Sequence, residues 1–366
     1  VLIDRRLASH FDWRLALLAL GLACFGILTI YSGNAISPSA FRRSLPLRQV
    51  AWLLLGLTAM GIVCLVHYRT VYRLAYPLLV LSLVGLALVL VAGKTGMGAT
   101  RWLRLGPFSM QPSEFVKLGL ILFLARYFDD RREELHQPRV FMVPVVLTAI
   151  TAGLVLKQPD LGTAILVVLI ALFVMVIAGL PFRFLVPVAV AGAAVAPLLW
   201  AFLKDYQKRR IITFLNPDLD PLGAGYHVAQ SKIAVGSGGF LGKGWLGASQ
   251  SQLNFLPLNY TDFIFAVQAE QWGFLGSLVL LSAYTYLIVK ALQIGREARD
   301  LFATLVAAGV AGMFLCQVSI NIGMVTGLLP VVGVPLPLMS YGGSSLITTC
   351  LAIGLLLNIH MRRFVY

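Results

Sequence analysis

Apolar runs separated by short polar stretches repeat along the whole chain. Runs long enough to be spans cover roughly residues 13–31, 49–67, 75–92, 113–127, 142–156, 162–180, 184–203, 263–290, 302–328 and 341–360. A helix needs about 20 apolar residues to cross a bilayer. Punctuation falls where runs end, with Gly33 and Pro38 after the first, Gly93 after the third and Pro181 after the sixth. The pattern predicts an all-α polytopic membrane protein of about ten transmembrane helices. One large extracytoplasmic loop is expected at about 204–262, and residues 1–366 read as a single transmembrane domain.

Composition agrees. Hydrophobic residues make up 59% of the 366 and charged residues 12%, against about 25% charged in a soluble domain. A net charge of +14 raises nucleic acid as a partner, but the basic residues lie in short connections between apolar runs. Topology and anionic lipid head groups explain them better, and no nucleic-acid partner is expected. Cys24, Cys64, Cys316 and Cys350 all sit inside apolar runs and read as small core residues. The run after Arg14 is long enough to span and lacks a small-residue cleavage site, so it is expected to be a span and not a cleaved signal peptide.

Charge sets the expected orientation. Alternate connections carry fourteen Lys and Arg, among them Arg69, Arg131, Arg296 and Arg362, against seven on the opposite set once the long loop is left out. Cytoplasmic loops are the Lys/Arg-rich ones, so both termini should be cytoplasmic and the 204–262 segment outside. The outer face nevertheless gathers Arg101, Arg104, Lys117, Lys204, Lys208, Arg209, Arg210, Lys232 and Lys243. Any one of them reads equally as solvated loop charge. As a group they point to an anionic ligand at the outer membrane surface, with phosphate the natural candidate.

Five stretches carry candidate chemistry. In Pro112-Ser113-Glu114-Phe115-Val116-Lys117, the acid and base are three apart and share a helix face. Ionisable residues inside a span are costly and mark cavities or pathways, although a buried pair that only fixes helix packing is the alternative. In Gln158-Pro159-Asp160-Leu161-Gly162-Thr163, Asp160 can cap the next helix, act on substrate, or both. The outer loop holds Asp218, Asp220, Gly223-Ala224-Gly225-Tyr226-His227, Gln230-Ser231-Lys232 and Gly236-Ser237-Gly238-Gly239. Its glycines allow backbone amides to approach an anion, but no spacing matches a P-loop or dinucleotide fingerprint. No His/Cys cluster supports zinc, and lone His227 reads as a loop hydrogen-bonding residue. In Pro257-Leu258-Asn259-Tyr260-Thr261-Asp262-Phe263, the aspartate stands where a polar loop meets an apolar helix. It reads either as an N-cap, a role Thr261 fills equally well, or as a general base on a substrate hydroxyl. Finally, Asn321-Ile322-Gly323-Met324 precedes 329–345, where Pro330, Pro335 and Pro337 forbid a continuous helix. Non-helical backbone at membrane depth is tolerated where it is protein-buried or lines a wet cavity.

These stretches resemble the SEDS family of polytopic membrane proteins over nearly the whole chain. The most specific parts are Arg101-Trp102-Leu103, Gln111-Pro112-Ser113-Glu114, Gln158 to Thr163, the Asp220 to Phe255 loop, Thr261-Asp262-Phe263 and 321–345. Leu329 to Pro337 is similar to the elongation branch of the family, where the division branch usually carries a less valine-rich version. The resemblance implies a peptidoglycan glycosyltransferase, polymerising lipid II at the outer face of the bacterial cytoplasmic membrane. It implies a class B penicillin-binding protein as transpeptidase partner within the cell-elongation machinery. It makes Asp262 the catalytic residue and places Glu114 and Lys117 on a central cavity. The substrate-binding set expected on this basis is Arg101, Glu114, Lys117, Asp160, Arg210, Lys232 and Ser344. The sequence departs from the family pattern at Leu258, Tyr260 and Gln271, where glutamate, histidine and glutamate are common. That removes a neighbouring imidazole and a second carboxylate from the tuning of Asp262.

Such a transfer needs a base for the acceptor 4-hydroxyl and charge balance for the leaving diphosphate. Asp262 is the candidate base. Lys117, Arg101 and Arg210 are candidates for the diphosphate, either directly or through a divalent cation such as Mg²⁺. Arg210 ranks behind the other two because it lies in the long loop. No cofactor is firmly implied. A lipid flippase would also carry charges within its spans, but needs a path through to the cytoplasm. A non-catalytic scaffold that activates its penicillin-binding partner is the third reading.

Overall fold

A computed structural model describes residues 10–363, except 97–98, 106–107, 182, 184–189, 191–193, 195–199, 201–204, 217–223, 254 and 257. The described helices are α1 (Trp13–Asn34), α2 (Ala40–Leu65), α3 (Tyr68–Ala92), α4 (Pro112–Asp130), α5 (Met142–Lys157) and α6 (Leu161–Ile177). They continue with α7 (Asp205–Leu215), α8 (Ala224–Ser237), α9 (Ser249–Gln252), α10 (Ile264–Glu297), α11 (Leu301–Thr326) and α12 (Gly343–Arg362). Nine of the ten apolar runs coincide with helices, and the run at 184–203 lies outside the described residues except for 190, 194 and 200. Seven of the helices, counting α5 with the 3₁₀ turn before it, are long and apolar enough to cross a membrane. Leu54, Val80 and Val279 stand more than half exposed on three of them, as side chains facing lipid do. The chain is a multi-pass membrane protein.

Three features were not expected from the apolar pattern. The connection at 94–110 forms a small antiparallel sheet, β1 (Lys94–Gly96), β2 (Ala99–Leu105) and β3 (Phe108–Met110), in the order β1-β2-β3. α2 and α3 begin earlier than the runs at 49 and 75, and carry Pro46 in the second turn of α2 and Pro77 in the third turn of α3. The large loop contains α7, α8 and α9.

The chain forms two compact units, one of Val1–Val66, Arg210–Ala291 and Phe314–Tyr366, the other of His67–Arg209 and Leu292–Met313. In the first, α12 is its most buried helix and packs closely on α2. A Cβ on Gly343 would lie 2.5 Å from the Trp52 ring, and one on Gly56 2.8 Å from Cys350 Sγ. At one end of this unit Lys290 Nζ of α10 lies 2.9 Å from Asp12 Oδ2, and His360 Nε2 of α12 lies 3.9 Å from the same oxygen. Asp12 also caps α1 through Leu15 N–H at 3.1 Å. Its burial alone would raise its pKa; Lys290 and the cap bond outweigh that and hold it below the usual carboxylate value. In the second unit, α4 packs on α3 and α6, and Gly309 of α11 admits Ile121 and Val174.

The run 263–290 is not one uninterrupted helix. Gly273 breaks α10 with φ 62° and ψ −158°. The break frees the carbonyls of Glu270 and Gln271 and the amides of Phe274 and Leu275 from their i to i−4 partners. The loop at 239–244 takes up all four. Lys243 N–H donates to the Glu270 carbonyl at 3.0 Å and Gly244 N–H to Gln271 at 2.9 Å. In return, Phe274 N–H donates to Gly239 at 2.9 Å and Leu275 N–H to Phe240 at 3.2 Å. The Lys243 ammonium then meets the fully buried Glu270 carboxylate at 2.6 Å. Gly238 and Gly242 press against the Ala269 and Gln271 carbonyls, where any Cβ would overlap. The loop glycines thus serve backbone approach to a broken helix. For Gly238 this replaces the expected role of cradling an anion. Gly273→Ala would put a side chain into the Gly242 backbone at a φ suited to glycine. A loss of about 3 kcal/mol is expected, read as a lower midpoint in thermal unfolding of the detergent-solubilised protein.

Candidate active site

The sequence-predicted site residues fall into two clusters, one in each unit. In the second unit, Pro112 at the first position of α4 starts the helix. One turn on, Glu114 and Lys117 emerge on the same face, with Lys117 Nζ 2.8 Å from Glu114 Oε2. Both side chains are essentially excluded from solvent. Asp160 caps α6 by accepting from Thr163 N–H at 3.3 Å, so the capping role holds. It also takes part in a polar chain. Arg101 of β2 lies 3.6 Å from Asp160 Oδ1 and donates to the Pro159 carbonyl. Gln111 donates to Asp160 Oδ2 at 3.3 Å and to Ser113 Oγ at 3.0 Å, next to Glu114. The unexpected sheet is therefore what carries Arg101 to Asp160. The two ion pairs, Arg101–Asp160 and Lys117–Glu114, together carry no net formal charge.

In the first unit the centre is Asp262, the second residue before α10. Its backbone carbonyl accepts from Asn321 Nδ2 at 3.0 Å, and the same amide nitrogen donates to the Val334 carbonyl at 2.8 Å. One buried asparagine of α11 thus fastens the aspartate to the proline-rich segment. A Cβ built on Gly333 would lie 3.6 Å from Asp262 Oδ2, so bare backbone faces the carboxylate. Asp262 keeps partial exposure while Asn259 and Phe263 beside it are buried. Thr261 Oγ1 donates to the Leu258 carbonyl at 3.3 Å.

The outer-loop cations reach the same segment. Arg210 stands on α7, and its Nη1 donates to the Val331 carbonyl at 3.2 Å, two residues from Gly333. Ser231 Oγ donates to the Val325 carbonyl at 2.8 Å, and the Lys232 side chain lies over Gly327, whose φ of 75° turns the chain there. Arg210 thus docks on the segment whose Gly333 faces Asp262. A helix, not a loose loop, carries it. Ser344 is buried in the first turn of α12. Its neighbourhood is organised by Gln49 of α2, which donates to the Ser340 carbonyl at 3.0 Å and accepts from Gly342 N–H at 3.3 Å. Gln49 was missed; the signal was an amide at the head of an apolar run.

Tyr260, at the position where histidine is common, packs edge-on against Tyr341 with ring centroids 5.9 Å apart. Burial raises the Tyr260 hydroxyl pKa, the Arg42 charge pulls it down, and Tyr341 and the Asp262 carboxylate push it up. It stays a neutral hydroxyl at physiological pH. Among the described residues no group of three or more His, Cys, Asp and Glu could hold a metal ion. Glu114 and Asp160 are already engaged by cations, so these residues do not form a resident site for a divalent ion.

A multi-pass membrane chain with a partly exposed carboxylate beside a proline-broken segment, and cations docked on that segment, defines a class. The chain belongs to the FtsW/RodA/SpoVE family of cell cycle proteins, whose family model matches residues 12–364. This bears out the SEDS resemblance. The peptidoglycan glycosyltransferase MrdB of Escherichia coli K12 is 42% identical over 357 residues, covering 97% of this chain and 94% of that protein. A chain from a solved peptidoglycan synthase complex, which coordinates polymerization and crosslinking, is 36% identical with a TM-score of 0.84. That match covers 97% of this chain and 99% of the other. The Rod shape determining protein RodA of Thermus thermophilus is 34% identical with a TM-score of 0.74, covering 97% and 98% respectively.

Proposed function

We infer that the chain is a peptidoglycan glycosyltransferase that polymerises lipid II at the outer face of the cytoplasmic membrane during cell elongation. The observation that carries the reading is Asp262, held by Asn321 against Gly333 on the segment that also docks Arg210. In the step this supports, the Asp262 carboxylate accepts the proton of the acceptor 4-hydroxyl. The acceptor oxygen forms its bond to the donor anomeric carbon as the bond from that carbon to the diphosphate oxygen breaks. The electron pair leaves on undecaprenyl diphosphate, and in-line attack converts the α linkage to β.

The leaving diphosphate carries negative charge that must be balanced where water is scarce. Arg210 and Lys232 supply cations in the same unit as Asp262. Lys117 and Arg101 are the buried or half-buried cations of the other unit. No step is routed through a divalent cation; Glu114 and Asp160 are each paired with a cation of their own unit.

The charge bias of the connections supports cytoplasmic termini. The Asp12, Lys290 and His360 contact agrees, since it gathers the start of α1 and the ends of α10 and α12 at one end of their unit. The synthase-complex relative supports a class B penicillin-binding protein as the partner that crosslinks the new strand.

The direct test gives purified protein, with and without that partner, labelled lipid II and sizes the products. Polymer supports the reading, and none under any condition overturns it. Arg210→Ala is expected to slow polymerisation about tenfold, the scale of one charge-assisted hydrogen bond. An unchanged rate removes Arg210 from the diphosphate site.

A further inference from the structure

The strip of surface around Asp262 has a composition that the proton transfer does not explain. From Leu336 to Ser340 every residue is buried, and so are Asn259, Phe263 and Gly343. Between them, solvent reaches Tyr260, Thr261, Asp262, Tyr341 and Gly342, with Gly333 opposite the carboxylate. The accessible strip thus includes two tyrosines beside Thr261 and Asp262, with Gly333, Pro335 and Gly342 also partly accessible. Both tyrosines keep partial exposure next to the fully buried stretch from Leu336 to Ser340.

The strip is also rigid. Tyr341 N–H donates to the Tyr260 carbonyl at 2.8 Å. Ser340 Oγ donates to the Thr261 carbonyl at 2.7 Å and accepts from Leu336 N–H at 2.8 Å. Gln49 clamps both sides of Tyr341 through Ser340 and Gly342. These bonds fix the two rings relative to the backbone of Asp262 without involving its carboxylate. The cations are at the other end of the segment, Lys232 at Gly327 and Arg210 at Val331. Charge lies on one side of Gly333 in the chain, and aromatic surface on the other.

We propose that Tyr260 and Tyr341 form a saccharide subsite that holds the acceptor pyranose with its 4-hydroxyl on Asp262. The proposal rests on the glycosyltransferase reading. A pyranose with equatorial substituents presents an apolar face of axial C–H groups and a polar rim. A tyrosine matches both, with an apolar ring and a hydroxyl that donates or accepts. The sugar that surrenders its proton to Asp262 must lie against the groups bordering it, and on the side of Gly333 away from Arg210 and Lys232 those are the two tyrosines, with the Arg42 charge acting on Tyr260. The donor diphosphate then takes the cation end. Such a subsite acts by orientation, holding the reacting oxygen within reach of the base.

The test uses the full-length protein with its partner and measures lipid II polymerisation as kcat and KM. Tyr341→Leu is expected to raise KM about tenfold, the scale of one aromatic contact, with kcat changed much less. Tyr341→Phe keeps the ring and should recover most of the KM lost in Tyr341→Leu, leaving at most about a threefold rise for the missing hydroxyl. Tyr260→Phe keeps its ring but loses the hydroxyl, and should raise KM about threefold. A second readout, independent of turnover, is saturation-transfer NMR of chitotetraose on the Asp262→Asn protein. Saturation of the sugar ring protons is expected there and should vanish when Tyr341→Leu is added. Unchanged KM and unchanged NMR signal in a folded Tyr341→Leu protein overturn the subsite. So does a fall in kcat alone, which marks a packing role. If no variant or wild type makes polymer, yet chitotetraose binding still depends on Tyr341, the subsite stands and the polymerase reading falls.

Discussion

Asp262→Ala is expected to stop polymer formation from lipid II, with a rate loss of about 10²–10⁴-fold, the range of a positioned general base. The fold should survive, because what ties this residue to α11 is its backbone carbonyl, bonded to Asn321 Nδ2 at 3.0 Å. Asp262→Asn keeps the size of the side chain and removes the base, so it should be equally inactive. The pairing of the two variants separates chemistry from packing. No imidazole stands at Tyr260 to take over the proton, and the Tyr260 hydroxyl, with its pKa raised by burial, is a poor base at neutral pH. Polymer at wild-type rate from a folded Asp262→Ala protein would remove Asp262 from the mechanism.

The second large effect concerns Glu114 and Lys117. Lys117→Met strands the Glu114 carboxylate in a dry interior, and breaking such a buried pair costs about 3–5 kcal/mol. The single variant should therefore show a sharply lower melting temperature as well as lost activity, and by itself it decides nothing about role. The informative variant is Glu114→Gln combined with Lys117→Met. Replacing both charges restores most of the stability, because no ion is left uncompensated. If Lys117 balances diphosphate charge, the double variant remains about 10²–10³-fold slower than wild type. Near-normal turnover by a stable double variant would assign the pair to helix packing alone, the alternative that its i, i+3 spacing had left open.

How much of this was readable in the chain varies from residue to residue. Asp160 was legible as a helix cap from its place before Leu161, and the cap is there, since capping depends only on residues within one turn. The Glu114–Lys117 pair was legible for the same reason. Arg101 was flagged, but its partner was not. The bond to Asp160 is made across 59 residues, through a sheet that no apolar periodicity marks. Arg210 was underrated because the loop around it reads as polar and irregular, whereas it lies on a helix docked against Val331. The glycines at 236–239 read as allowing amides to approach an anion; of them Gly238 lies against the Ala269 carbonyl of α10, a contact that goes with the break at Gly273 and the four backbone groups it leaves for the loop to satisfy.

By itself, then, the sequence determined that the chain is a multi-pass helical membrane protein and which side chains are candidates for its chemistry. Hydrophobic length, charge bias and i, i+3 spacing are local quantities, and lipid imposes them on every span independently. The tertiary structure alone decided which of those side chains keep company. It put Asp262 against Gly333 through Asn321, Arg210 on Val331, and Tyr260 within electrostatic reach of the carboxylate with Tyr341 packed edge-on against it. Each of these depends on where non-helical backbone comes to rest. In a protein interior every backbone group must find a partner, and which partner it finds is a property of the packed chain and not of any window along it.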